Sequence, residues 1–208
     1  EMRGLYLMAI NGCIRRMNTG QKQYIREAFN IYRVALERDF LTENGILSSF
    51  TYINIVRVSV ALAEHEWAEQ FIEQQRNHLH PRDRDNYYRF NLAFLRFRQQ
   101  DYTRAMPLLQ QVDFEDPLHN LDARRMLLRS YYEMKEWNAL ESLLHSFGAY
   151  IRRQKNLDYH RTINENLISF TRKLMELNRR DASAVAALRA EVSSTSELAE
   201  REWLLTQC

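Results

Sequence analysis

Glycine and proline are scarce in this chain, five and three among 208 residues, and the scarcity removes the turn chemistry that many short strands require. Leu, Arg, Glu, Ala and Gln are plentiful instead, so the fold class expected is all-α. Cysteine is nearly absent as well. Cys13 and Cys208 are the only two, and neither has a second thiol at metal or redox spacing, which excludes a disulfide scaffold and fits a reducing compartment. No apolar run approaches the roughly 20 residues needed to cross a bilayer, and the start has no basic-then-apolar leader, so the expectation is a soluble cytoplasmic protein. Charge of one sign is lacking too: 29 basic residues face 27 acidic ones for a net charge of +2, leaving no field that selects nucleic acid or anionic lipid. The chain opens on Glu1 and is helix-patterned from there, which reads as a piece of a longer protein.

What is present is apolar periodicity, with 45% hydrophobic residues, enough to build a core. Helical stretches are expected at about 3–18, 21–40, 47–64, 67–81, 86–100, 102–112, 121–135, 137–153, 157–177 and 182–192, followed by a last helix ending in EWLLTQC. Thr19-Gly20 ends the first, and Thr42, Asn44 and Gly45 break the pattern after the second. Thr195 or Ser196 is the expected N-cap of the last. Three acidic–aromatic pairs, Glu66-Trp67, Asp101-Tyr102 and Glu136-Trp137, stand at equal intervals, since 102 − 67 = 35 and 137 − 102 = 35. A fixed period of this size is the mark of an α-solenoid, whose units are each too small to bury their own apolar face. The aromatics are accordingly read as buried wedges between stacked units, and Ala105 as the small residue at a helix crossing.

Candidate chemistry fails on spacing. His65-Glu66 begins like a helical zinc-protease motif, but Glu69 stands where the second histidine belongs. His78 and His80 lack further ligands at metal spacing, and the glycines at 4, 12, 20, 45 and 148 form no phosphate cradle. Cys13 falls in an apolar helix stripe and reads as a core thiol. No metal, nucleotide or other cofactor is expected, and no enzymatic activity.

Leu92-Ala93, Asp101-Tyr102, Ala105, Leu109 and Pro117, in this order and spacing, resemble a tetratricopeptide repeat, and Leu127, Tyr131, Trp137 and Leu144 repeat part of the pattern. The pattern departs at Arg89 and Arg96, where the family has aromatics. The resemblance implies a right-handed solenoid of antiparallel helix pairs forming one domain over 1–208. Its units fall at about 3–40, 47–80, 86–117 and 121–153, with 157–208 as divergent helices and a C-terminal cap. It also implies that the first helix of each pair lines a concave groove. That places Tyr52 (with Ile55 and Ser59), then Tyr87, Phe90, Asn91 and Phe94, then Arg125, Arg129 and Tyr132 (with Asp122) along a partner site, aromatic at one end and basic at the other. The function expected is a non-catalytic scaffold that binds a protein or peptide segment. The clamp of two lysines, two asparagines and an arginine that holds a C-terminal carboxylate in some family members is matched only at Asn91. The helix at 86–100 is apolar nearly all round, which calls for a covering tail, a bound partner or self-association. The alternative is RNA binding, because pentatricopeptide arrays share the period; the near-neutral charge and bulky aromatics stand against it.

Overall fold

The computed structural model describes residues 2–208, which form eleven α-helices and one two-stranded β-hairpin. In chain order these are α1 (Met2–Asn18), α2 (Gln23–Glu37), β1 (Thr42–Glu43), β2 (Ile46–Leu47), α3 (Ser49–Ala61) and α4 (His65–Gln75), the last continued by a 3-10 turn at Arg76–His78. Then follow α5 (Arg84–Arg98), α6 (Tyr102–Leu109), α7 (Pro117–Glu133), α8 (Trp137–Arg153), α9 (Tyr159–Glu176), α10 (Ala182–Ser194) and α11 (Arg201–Gln207). The protein is all-α, and each helix packs chiefly on its neighbours in sequence, an arrangement compatible with a helical repeat. No helix among the described residues is long and apolar enough to cross a membrane.

One turn geometry recurs. Helices α3, α5 and α7 each end on a left-handed residue, Ala63 (φ 59°), Gln100 (φ 61°) and Lys135 (φ 58°). That residue and the one after it return their N–H groups to carbonyls of the last turn: Glu64 N to Ser59 O at 3.0 Å, Asp101 N to Arg96 O at 2.9 Å and Glu136 N to Tyr131 O at 2.9 Å. This Schellman closure satisfies carbonyls that the helix end would otherwise leave unpaired. Glu64, Asp101 and Glu136 then take nearly the same conformation, φ about −80° and ψ 56–69°, and the next helix starts at once. Asp101 also caps, its carboxylate accepting from Arg104 N at 3.2 Å, whereas Glu136 makes no side-chain cap. Four residues into the second helix stand Ala68, Ala105 and Leu140, all fully buried.

This geometry corrects the period. The structural equivalents are Glu64, Asp101 and Glu136, spaced 101 − 64 = 37 and 136 − 101 = 35. Trp67 therefore stands at the third residue of α4, while Tyr102 and Trp137 open α6 and α8, and the equal interval in the sequence joins positions that differ in the fold. Trp137 is a correction too: expected as a buried wedge, it is 44% exposed and edge-on to Tyr132, and the buried residue at the start of α8 is Leu140, the counterpart of Ala105. Pro117 opens α7 at its first residue instead of closing the preceding unit. Its missing N–H costs nothing there, and Asp116 caps the helix by accepting from Leu118 N at 2.9 Å. Neither Thr195 nor Ser196 caps α11. Thr195 Oγ1 instead donates to Glu191 O at the end of α10, and the residue before α11 is Glu200 in a left-handed conformation. The break at 42–47 is a hairpin, Thr42 paired with Leu47 and Glu43 with Ile46 around Asn44-Gly45, both at positive φ. Asn-Gly is the pair that a two-residue turn of this hand requires.

The helices gather into two compact units, one ending at Asp113 and the other spanning Phe114–Cys208. The boundary falls inside the segment 86–117 expected as one unit. On its two sides the backbone is gripped by asparagines: Asn86 Nδ2 donates to Asp113 O at 2.6 Å, and Asn120 both donates to Phe114 O (2.7 Å) and accepts from Phe114 N (3.0 Å). In the first unit α5 packs on α3, α4 and α6, which accounts for its apolar character on nearly every side. The core there holds Tyr32, Tyr52, Ile55, Ile72 and Leu95, with alanines 28, 35, 68, 93 and 105 fully buried. In the second unit Leu121, Leu128, Leu140, Phe147, Leu167 and Leu204 are fully buried. Ser59, Asn91, Ser130 and Thr171 are buried polar residues, each donating to the carbonyl four residues back on its own helix.

Two stability outcomes follow from these positions. Ala63→Gly relieves a left-handed conformation that costs an L-residue about 1–2 kcal/mol, partly offset by the chain entropy of glycine, so a net gain of roughly 0.5–1 kcal/mol is expected in urea melts. Leu140→Ala is expected to lose about 2–5 kcal/mol and the half-exposed Trp137→Ala clearly less, an order the same melts check.

Candidate functional site

The expected partner residues are placed differently in the two units. In the first, Tyr52, Phe90 and Asn91 are buried, with at most 1% of their surface exposed. Tyr52 Oη donates to Ile72 O at 2.8 Å, and burial pushes its hydroxyl pKa far above the usual range; Asn91 is satisfied by Tyr87 O at 2.8 Å. These three side chains are core and present no surface to a ligand. Tyr87 and Phe94 are half-buried, packed against the same core.

In the second unit Arg125 pairs with Asp122, one turn back on α7. Arg129 and Tyr132 are brought together, and what they meet is the chain's own α11. Arg129 Nη1 donates to Glu200 Oε2 at 2.7 Å, and its guanidinium lies 5.5 Å from the Trp203 ring centroid. Tyr132 is buried, edge-on to Trp203 at 5.2 Å and accepting from Arg179 Nη2 at 2.7 Å. Trp203 Nε1 donates to Glu133 at 2.7 Å, which completes the seat of α11 on α7. Arg201 fixes the other side of α11 by donating to carbonyls of Val192, Ser193, Thr195 and Ser196 at the end of α10. The aromatic–arginine chemistry expected to hold a partner holds the C-terminal helix.

The accessible surface with binding chemistry lies along α4. Trp67 is half-buried, edge-on to Phe29 of α2 at 4.9 Å and stacked on Phe71 at 5.5 Å with planes 10° apart. Beside it is a recess of about 270 Å3 walled by Arg33, Leu36 and Glu37 of α2 and by Gln70, Gln74 and Gln75. On the far side of Trp67 and Gln70 the surface continues into an open depression of about 590 Å3 with Glu64, His65, Glu66 and Gln99 on its rim. The two share Trp67 and Gln70, so they form one furrow down the length of α4. Among the described residues no hydrogen bond engages the carboxamides of Gln70, Gln74 or Gln75. A carboxamide donates and accepts, which is the complement of a peptide group. The spacing of Gln70 and Gln74 by four, and of Trp67 and Phe71 by four, was visible in the sequence, but the wall that makes a recess of them comes from Arg33, Leu36 and Glu37 of another helix.

The furrow is backed by an ion pair. Arg96, where the repeat family has an aromatic, reaches from α5 to Glu69 of α4, with Nη1 2.9 Å from Oε2 and a second contact from Nη2 to Oε1. That hydrogen bond holds the Glu69 carboxyl below its ordinary range, against an opposing effect of burial. Cys13 is buried and its thiol pKa is raised by burial first and by Glu27 second, which lowers its thiolate fraction. No group of three or more His, Cys, Asp or Glu is placed to hold a metal among the described residues.

Comparison with family models, with curated proteins and with solved structures finds no match to this chain.

Because the folded pKa of Glu69 lies below the unfolded value, the stability from its pair with Arg96 is present above the unfolded pKa, near 4.5, and disappears as pH falls through the folded one. Glu69 is 41% exposed, so solvent screens the pair and the effect is modest. Urea melts of Glu69→Gln are expected to fall below wild type at pH 7 and to converge with it at about pH 2. Equal stability at both values would remove the pair from the account of how α4 is held on α5.

Proposed function

We propose that this protein is a non-catalytic helical-repeat module that binds an extended polypeptide segment along α4. One observation carries the reading: three unengaged carboxamides, Gln70, Gln74 and Gln75, border a recess floored by Trp67 and Phe71. Gln70 and Gln74, one helical turn apart, match the spacing of alternate peptide groups on one side of an extended chain, and the aromatic floor accepts one apolar side chain of it. The rim carries one guanidinium, Arg33, against the carboxylates of Glu37, Glu64 and Glu66, of which Glu64 is paired with Arg26, so a segment without a run of negative charge fits better than a polyanion. The tetratricopeptide-like arrangement of the chain is part of this proposal. Its support is the turn repeated at Ala63, Gln100 and Lys135, together with the buried Ala68 and Ala105 at matching places after it.

A peptide array on the whole chain, run beside a labelled-RNA shift assay, tests the reading. Neutral extended peptides with a large apolar residue are expected to bind, and Gln70→Ala and Gln74→Ala to weaken them by about 0.5–1.5 kcal/mol each without a change in melting. RNA binding with a steep salt dependence, or peptide binding indifferent to both substitutions, would overturn it.

A further inference from the structure

Helix α1 breaks a local rule without an internal reason. Gly4 and Gly12 stand inside a 17-residue helix, where glycine is destabilising relative to alanine, yet a Cβ at either would meet no atom of the protein within 4 Å. Only Ile10 and Cys13 of α1 are buried, on the face turned to α2. The outward face carries Leu5 (60% exposed) and Met8 (72% exposed) with the open backbone at Gly12, and Met2 and Ala9 are exposed along its flank. At these intervals of three and four residues they form one apolar ridge, about 15 Å from Met2 to Gly12.

The ridge runs into uncompensated positive charge. Arg3, near its start, is engaged by Phe40 O and Glu43. Arg15 and Arg16, at its end, have no carboxylate partner among the described residues; Arg16 lies over the Tyr24 ring at 4.6 Å and bonds to its hydroxyl, and Arg15 is exposed. There is no acidic residue anywhere in Met2–Asn18.

From this juxtaposition of an exposed Leu5–Met8 ridge, a glycine notch at Gly12 and the exposed Arg15 and Arg16, which no carboxylate among the described residues engages, we infer that α1 docks an amphipathic helix of a partner protein with acidic residues at one end. The apolar seam of that helix packs on Leu5 and Met8, its backbone comes close at Gly12, and its carboxylates meet the two guanidiniums as charge-assisted hydrogen bonds. A second copy of α1 supplies no carboxylate, so a symmetric contact between two α1 helices leaves the guanidiniums without an acidic partner. This face is separate from the furrow along α4 and does not depend on it.

The test is selection from a displayed library of amphipathic helices of 17 residues, the length of α1, presented to the whole chain. Recovered helices are expected to carry Asp or Glu in one terminal turn. Met8→Glu, and Arg15→Glu with Arg16→Glu, are expected to weaken them by about tenfold or more with the helical signal unchanged, and helices with Lys in place of the acids to regain binding to the double arginine variant. Gly12→Ala is expected to raise the unfolding temperature and yet weaken binding, an opposition that a merely structural glycine does not give. Recovery of no acidic helix, binding indifferent to Met8→Glu, self-association abolished by Met8→Glu, or capture of α1 by anionic phospholipid vesicles in preference to any helix would each overturn the inference.

Discussion

The left-handed residue that closes α3, α5 and α7 is the constraint from which the rest of the arrangement follows. Ala63, Gln100 and Lys135 each turn the chain within two residues, and the following Glu64, Asp101 or Glu136 starts the next helix in a nearly constant conformation. Because the start of the second helix is set by the end of the first, Ala68, Ala105 and Leu140 arrive at equivalent buried places. None of the three left-handed residues is glycine. The strain is tolerated because the Schellman bonds and the core behind them over-determine the conformation.

Occupied and open faces distinguish the two units. In the second, α11 is seated by Trp203, Glu200 and Arg201, so the polar and aromatic groups of α7 are used internally. In the first, the furrow on α4 holds three carboxamides with no hydrogen bond, and the ridge on α1 ends at two guanidiniums with no carboxylate partner among the described residues. Their chemistry differs. The carboxamides are neutral and both donate and accept, whereas the arginines beside Leu5 and Met8 are cationic and only donate.

Much of the helical layout was legible because its causes are local. Alternating apolar faces, Gly20 after α1, the Asp101 cap and the scarcity of strand-forming turns all act within a few residues, and they placed α8 at 137–153 as observed. Local signals misread were of the same range: Asn44-Gly45 announced a hairpin, and Asp116-Pro117 a helix start instead of a unit's end. The 35-residue interval misled at Trp67 because α4 begins two residues before it, and spacing counts residues without regard to where a helix begins.

Composition and periodicity by themselves determined that this protein is all-α and where its helices run, since helix formation depends on neighbours three and four residues away. Only the tertiary structure decided which side chains remain available. Tyr52 and Tyr132 are aromatic residues on first helices and look free in the sequence; one is enclosed by Ile72 and Phe71, the other by Trp203 and Arg179. Arg129 looks like a ligand-binding cation until Glu200, 71 residues later, takes it. Exposure is a sum over contacts between distant segments, and no local pattern encodes it.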